Sequence, residues 1–177
     1  MPSSSTRPRV YLAGPDVFRP DAAQYFAALA LACDALGMTA VPPFDGKAAG
    51  PDPARRIYEE NMKLLRSADG VIANLAPFRG LEPDSGTVFE VGVAIALGLP
   101  VAAYGVPPGT YAQRAATAGV VGRDPDGSLR DPEGTLIEDF GLPLNLMLAC
   151  SVRFSDLATD ALRVLAEVLG SAPAQRQ

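Results

Sequence analysis

Glu90 is the one acidic residue in an otherwise apolar segment of this 177-residue chain. From position 88 to 97 all residues except Glu90 are hydrophobic or glycine. Burying an unpaired carboxylate is costly, so a sequence keeps one inside a buried segment mainly for a reason. Glu90 is therefore either neutralised by an arginine or a backbone donor, or it takes part in chemistry.

The residues around Glu90 indicate that it lies near the start of a helix. Asp84 precedes Ser-Gly-Thr, a pattern typical of a helix N-cap, and capping is its ordinary role. Glu90 follows within two turns, where the positive end of the helix favours an ionised and hence nucleophilic carboxylate. Gly86 and Gly92 allow a ligand or another stretch of backbone to approach this helix closely.

The absence of histidine excludes several kinds of chemistry. Ser-His-Asp triads, Cys-His dyads, histidine bases and histidine-ligated metals all require it. Cys33 and Cys150 are far apart and form no CxxC pattern, so neither a disulfide framework nor a zinc site is predicted, and a reduced, cytoplasmic setting is expected. Acid–base or nucleophilic chemistry must therefore use carboxylates, Tyr, Lys, Ser or Cys.

The charge and the apolar pattern restrict the partners. The net charge is -5, and no cluster of Lys and Arg suited to a nucleic-acid backbone occurs. The chain contains neither the apolar core of a signal peptide nor a run of about 18 apolar residues that would span a membrane. We expect one domain over residues 9–170, with a disordered N-terminus at 1–8 and a flexible tail at 171–177.

Strands alternate with helices along the chain. Short apolar runs bounded by turn residues predict strands at 9–14, 38–43, 69–75 and 100–105. Helical patterns occupy 21–36, 53–67, 84–98 and 155–169, and the turn-rich segment 122–134 predicts a hairpin or an exposed loop. This alternation is typical of an α/β fold with a doubly wound parallel sheet flanked by helices.

In such a fold, ligands bind where the strands end. Phe18, Phe44 and Phe78 fall in three of the loops at that edge and are candidates for a clamp around a flat heterocycle, although each alone is typical of a loop anchor. Tyr11, inside the first strand, is either a core tyrosine with a satisfied hydroxyl or a hydrogen-bond donor to Glu90.

Four segments together resemble the nucleoside 2-deoxyribosyltransferase family. They are YLAGPDVF, the residue Asn61 ahead of ADGVIANL, the run DSGTVFEVGVAIALGLPV, and LPLNLML. The resemblance extends over about residues 9–151. It implies a flavodoxin-like (Rossmann-like) fold and the transfer of 2-deoxyribose from the base of a 2-deoxyribonucleoside to another, free nucleobase, without a metal or cofactor.

The resemblance also implies roles for individual residues. Glu90 matches the nucleophile that attacks the anomeric carbon and forms a covalent deoxyribosyl-enzyme, and Tyr11 matches the tyrosine that positions it. Asp84 matches an Asp that contacts the sugar and takes part in proton transfer. Asn145 and Met147 match residues supplied by a neighbouring subunit, which implies a homo-oligomer.

Asn61 departs from part of the family, because some members have at this position an Asp thought to protonate the leaving base. An asparagine can hydrogen-bond a base but is not a proton donor of the same kind. Asp16, Asp45 or a water molecule are the candidates that remain for this role.

Two other functions stay open. One is an N-glycosidase of the same fold that acts on nucleoside 5-monophosphates and lets water resolve the sugar intermediate. It needs a phosphate site, for which Arg79, Ser85 and Thr87 are candidates, although Asp84 in the same turn would repel a phosphate. The other is a non-catalytic nucleotide-binding module, which explains the loops but not Glu90.

Overall fold

The computed structural model describes residues 7–44, 51–119 and 121–171. The strands are β1 Arg9–Ala13, β2 Thr39–Val41, β3 Gly70–Asn74, β4 Val101–Tyr104, β5 Gly122–Arg123, β6 Leu129–Arg130 and β7 Arg153–Phe154. The helices are α1 Ala22–Ala35, α2 Pro53–Arg66, α3 Ser85–Ala96, α4 Tyr111–Thr117, α5 Leu146–Ala149 and α6 Ala158–Ser171. A short 3-10 turn, Pro15–Phe18, follows β1.

Within the described residues, five parallel strands form a sheet in the order β2-β1-β3-β4-β7. The order reverses between β1 and β3, and in doubly wound folds the ligand crevice lies at such a switch point. The predicted doubly wound, flavodoxin-like sheet is confirmed. Its register brings Tyr11 beside both Val41 and Val71 in the middle of the sheet.

Helices cover both faces of this sheet, which is why its central strands are almost entirely apolar. On one face, Val71 packs in a cluster with Leu65 of α2 and Val91 of α3. On the other face, Ile72 packs in a cluster with residues of α1 and α6. Because neighbouring residues in β3 point to opposite faces, one strand serves both cores, and its end is held rigidly beside the crevice.

The C-terminal part contains a strand that the sequence patterns did not predict. β7 has only two residues and pairs with β4 at the edge of the sheet, so α6 begins at Ala158, three residues later than expected. The turn-rich segment 122–134 contains the hairpin formed by β5 and β6, one of the two predicted alternatives.

The predicted disordered ends are described only in part. Arg7 donates from Nη1 to Asp34 Oδ1 at 2.7 Å, and the Pro8 carbonyl accepts from the Thr39 amide at 2.8 Å. Residues 1–6 and 172–177 lie outside the described residues. Among the described helices, none has both the length and the apolar character needed to cross a membrane.

Candidate active site

The Tyr11 hydroxyl donates a hydrogen bond to Glu90 Oε1 at 2.6 Å. Tyr11 lies in β1 with no exposed surface, so its hydroxyl is fixed by the sheet. Glu90 lies on α3, which packs against β1 and β3. The bond therefore ties the carboxylate of a helix to a buried central strand of the sheet.

Burial determines the ionisation of Glu90. Desolvation is the largest effect and raises the pKa of the carboxyl to about 7; the nearby charge of Asp84 also raises it, while the Tyr11 hydrogen bond lowers it. The position near the helix start predicts an ionised carboxylate, whereas burial shifts the pKa in the opposite direction. A carboxylate with so high a pKa is poorly solvated and more basic than one in water.

Asp84 caps α3. Its Oδ2 accepts from the Thr87 amide at 2.9 Å and from the Thr87 hydroxyl at 3.0 Å. Thr87 is buried, so this cap fixes the first turn of the helix against the protein. The capping role predicted for Asp84 is present, and the same carboxylate lies on the wall of a cavity together with Glu90.

That cavity has a volume of about 360 Å³, within the range of small-molecule sites. Its walls come from the 3-10 turn after β1, the residues that follow β2, one face of α2 and the first two turns of α3. The lining residues are Gly14, Val17, Phe18, Pro43, Phe44, Ile57, Asn61, Asp84, Gly86, Thr87 and Glu90. One wall is therefore polar and carries two carboxylates, and the rest is mainly apolar.

Aromatic side chains flank the cavity. Phe18 stacks on Phe78 with ring centroids 5.7 Å apart and planes 20° apart. The Arg79 guanidinium lies 4.6 Å from the Phe78 centroid and 5.5 Å from that of Phe18, and its backbone adopts a φ of 57°. Of the three rings predicted as a clamp, Phe18 and Phe44 line the cavity, whereas Phe78 stacks against Phe18.

Asn61 has a positioning role that the sequence did not predict. Its Oδ1 accepts from the Phe44 amide at 2.7 Å, so α2 fixes the backbone at Phe44, shortly after β2. Because an N–H must face an acceptor, this bond also fixes the orientation of the side-chain amide. Asn61 therefore offers its Nδ2, a donor, for a second contact.

Asp16 belongs to a buried network at the ends of the strands. Its Oδ2 accepts from Asn74 Nδ2 at 3.0 Å and from the Tyr104 hydroxyl at 3.4 Å, and the Tyr104 and Tyr25 hydroxyls lie 3.0 Å apart. A Cβ at Gly14 would lie 2.7 Å from the same oxygen. The network joins the ends of β1, β3 and β4 behind Gly14, so a direct substrate contact by Asp16 stays a prediction. The other candidate proton donor, Asp45, lies outside the described residues.

A second cavity, of about 580 Å³, lies along the other side of α3. It is lined by Glu82, Pro83, Ser85, Val88, Val91, Gly92, Ile95, Asn145, Met147, Leu148 and Ser151. Asn145 and Met147 thus lie beside the α3 face that Glu90 does not occupy. Within one chain, the structure does not bring them together with the Tyr11–Glu90 pair.

The three residues considered for a phosphate site do not converge. Ser85 lines the second cavity, the Thr87 hydroxyl donates to Asp84, and the Arg79 guanidinium lies over the stacked rings. Nor do the described residues bring together three or more His, Cys, Asp or Glu side chains able to hold a metal ion.

A model of the nucleoside 2-deoxyribosyltransferase family matches residues 10–147. The chain belongs to this family. The matched range contains Tyr11, Asn61, Asp84 and Glu90 as well as Asn145 and Met147. Membership indicates a nucleoside 2-deoxyribosyltransferase-like function, that of a pentosyl transferase.

The chain is also similar to individual proteins. A solved structure of a 2-desoxiribosyltransferase from Leishmania mexicana superposes with a TM-score of 0.74 at 31% identity, covering 90% of this chain and 97% of that chain. An uncharacterized protein of Schizosaccharomyces pombe is 32% identical over 165 residues, covering 84% of this chain and 78% of the relative. A conserved protein from Enterococcus faecalis V583, at 21% identity, shares the fold with a TM-score of 0.58 over 92% of this chain and 99% of its own.

Proposed function

We propose that this protein exchanges the base of a 2-deoxyribonucleoside for another free nucleobase through a covalent deoxyribosyl-Glu90 intermediate. The observation that carries the proposal is the Tyr11–Glu90 hydrogen bond of 2.6 Å at the wall of a cavity of about 360 Å³. A positioned, poorly solvated carboxylate beside a small-molecule cavity is what displacement at an anomeric carbon requires.

The reaction takes two displacements. In the first, a carboxylate oxygen of Glu90 bonds to the anomeric carbon while the bond to the base breaks, and the base leaves with the bonding pair and takes up a proton. In the second, a nitrogen of the incoming base attacks the same carbon, the ester bond to Glu90 breaks and the incoming base loses a proton. Two inversions retain the configuration of the sugar.

Tyr11 suits the task of holding the nucleophile. Burial, followed by the charge of Glu90 and the hydrogen bond to it, raises the pKa of the phenol above its usual value, so Tyr11 remains a neutral donor. A neutral donor keeps the carboxylate in one rotamer without adding a second charge. The attacking oxygen is therefore aimed before the substrate arrives.

Asn61 and Asp84 are polar groups on the cavity wall that face the substrate in this proposal. Asn61 uses its Oδ1 on the Phe44 amide, so its Nδ2 donates to an acceptor atom of the base. Asp84 presents a carboxylate to the sugar from the helix start. We infer that water between these two groups relays a proton from the solvent to the leaving base, since Asp16 does not line the cavity and its Oδ2 accepts from Asn74.

We further propose that the protein works as a homo-oligomer in which Asn145 and Met147 enter the Glu90 cavity of a neighbouring subunit. Met147 is 73% exposed, and Phe89 and Ile95 of α3 are also exposed. Met147 and Ile95 line the second cavity, whereas the Phe89 ring lies beside that of Tyr58 on α2, and a second copy of the chain would cover these apolar side chains.

The proposal is tested by incubating the protein with a 2-deoxyribonucleoside and a second free base, followed by chromatography. A new nucleoside identifies a transferase, free deoxyribose identifies a hydrolase, and unchanged substrate favours a binding module. Both Glu90→Gln and Glu90→Ala should abolish exchange and keep the fold by circular dichroism. Glu59→Gln, an exposed change on α2, is the matched control, and undiminished exchange in Glu90→Ala would refute the mechanism.

A further inference from the structure

Asn145 and Met147, which we assign to the neighbouring site, lie at the start of a helix that is too short to be stable by itself. α5 has four residues, Leu146–Ala149, whereas isolated helices shorter than about 12 residues are marginal in water. Asn145, which caps this helix, is exposed, and so is Met147. Contacts from elsewhere in the chain must therefore set their geometry before a second subunit arrives.

Glu138 supplies those contacts. Its Oε2 accepts from Asn145 Nδ2 at 2.8 Å, and its Oε1 accepts from the Leu146 amide at 2.7 Å. Asn145 Oδ1 in turn accepts from the Met147 amide at 3.0 Å. One carboxylate thus holds the capping side chain and the first residue of α5 together, and it leaves the Asn145 amide only one orientation.

The segment that carries Glu138 is itself anchored. The Ile137 amide donates to the Leu129 carbonyl at 2.8 Å, which ties the segment to β6. Further along, the Tyr111 amide donates to the Leu142 carbonyl at 2.9 Å, and Arg114 of α4 donates to the Pro143 carbonyl. Glu138 therefore acts from a fixed position rather than from a loose loop.

We propose that Glu138 is a positioning residue for the active site of the neighbouring subunit: it fixes the Asn145 amide and the start of α5 in the geometry that the neighbour's Glu90 cavity receives. The inference rests on the proposed function. It adds a residue outside the segments that carry the family resemblance. It also gives the segment around Glu138, which is hydrogen-bonded to β6, a role in positioning the catalytic residues.

The chemistry of the contacts predicts a graded response. A carboxylate offers two acceptors and no donor, which matches the two N–H groups that face Glu138. A glutamine at this position keeps one acceptor but turns a donor toward the second N–H, so one of the two bonds is lost. An alanine loses both.

Steady-state kinetics of base exchange test this order. We expect Glu138→Ala to lower kcat/KM about tenfold to a hundredfold, because small misplacements of a positioned group have effects of this size, and Glu138→Gln to fall between it and the unchanged protein. Glu133→Gln, on an exposed turn of the same segment, is the matched control. Wild-type kinetics in Glu138→Ala would overturn the proposal.

Mixed oligomers test whether Glu138 acts across the subunit boundary. When Glu90→Gln and Glu138→Ala chains are co-expressed, a hybrid dimer has one site that combines an intact Glu90 with an intact Glu138. Random pairing should restore about a quarter of wild-type exchange, since half the dimers are hybrids with one good site each. No recovery would mean that Glu138 serves its own chain, which contradicts the proposal.

A readout independent of activity separates this proposal from the function on which it rests. Hydrogen exchange at the Leu146 amide should accelerate in Glu138→Ala, while amides of β1 and β3 keep their protection. Absence of base exchange in the unchanged protein would count against the proposed function alone. Unchanged protection at Leu146 would overturn the role of Glu138 whatever the activity.

Discussion

At the scale of single residues, the molecule pairs a hydroxyl and a carboxylate that are 79 positions apart in the chain. The sequence predicted that Tyr11 and Glu90 could meet, because the strand of Tyr11 and the apolar helix of Glu90 lie near the same edge of the predicted sheet. It did not predict the protonation of Glu90, whose pKa is raised to about 7 mainly by burial. Burial depends on packing from several elements and cannot be read from one segment.

Replacement of Tyr11 by phenylalanine should change the pH dependence of exchange. The Tyr11 hydrogen bond lowers the pKa of Glu90, so its loss raises that pKa further. Because the nucleophile must be ionised, the acid limb of kcat/KM should move to higher pH, by on the order of one unit. Activity then falls more at mildly acidic than at mildly alkaline pH.

A pH profile of kcat/KM measures this shift. Tyr58→Phe, which changes a half-exposed tyrosine on α2, is the control and should leave the limb in place. An acid limb in Tyr11→Phe that coincides with the wild-type limb would show that the hydrogen bond does not tune Glu90.

At the scale of elements, the sequence predicted the long helices and the four longer strands because each carries its own apolar period and turn signals. β7 was not predicted because two residues are too few to show the alternation of apolar and polar side chains of a strand. Asn74 was expected at the ligand edge of the sheet, but Tyr104 was not singled out, since its place beside Asn74 depends on the register between β3 and β4. Asn61 likewise gained its role only through contact with the distant Phe44 amide.

Two variants of Asp84, the cap of α3, distinguish its effect on stability from its effect on the pKa of Glu90. Asn is as good an N-cap as Asp, so Asp84→Asn should leave the free energy of unfolding nearly unchanged, whereas Asp84→Ala should lower it by about 1 kcal/mol. Both remove a charge that raises the pKa of Glu90, so the acid limb should move to lower pH in both variants, opposite to Tyr11→Phe.

Urea unfolding measures the change in the free energy of unfolding, and a pH profile of kcat/KM measures the shift of the acid limb. Asp52 caps α2 by accepting from the Arg55 amide at 3.0 Å, so Asp52→Ala is a matched cap variant that should lose stability without moving the limb. The assignment fails if Asp84→Asn shifts the limb upward, or if Asp84→Ala unfolds at the wild-type urea concentration.

At the scale of the whole molecule, α3 separates two cavities. One contains Glu90, and the other contains Asn145 and Met147. The fold of a single chain was predictable from its alternating pattern, whereas the arrangement of these residues on opposite sides of one helix was not. That arrangement agrees with the family resemblance, which implies that Asn145 and Met147 complete the site of a second copy.

Met147→Lys should weaken association without unfolding the chain, because a side chain that is 73% exposed contributes little to the core. A charge buried between two subunits is costly, so the variant should form an assembly of lower mass, as measured by light scattering. Its specific activity should fall on dilution at concentrations where the wild type keeps its own. Leu31→Lys on α1, which has the same exposed fraction of 73%, is the control, and an unchanged mass in Met147→Lys would contradict the proposed interface.

Helix α3 also has an evolutionary consequence. Its inward positions, such as Val91 and Ala94, are buried against the sheet, one flank carries Glu90 and Gly86, and the other flank borders the second cavity. Few positions remain where a substitution would escape selection on packing, catalysis and assembly alike. Related sequences that diverge freely on α1 should therefore vary little along this one helix.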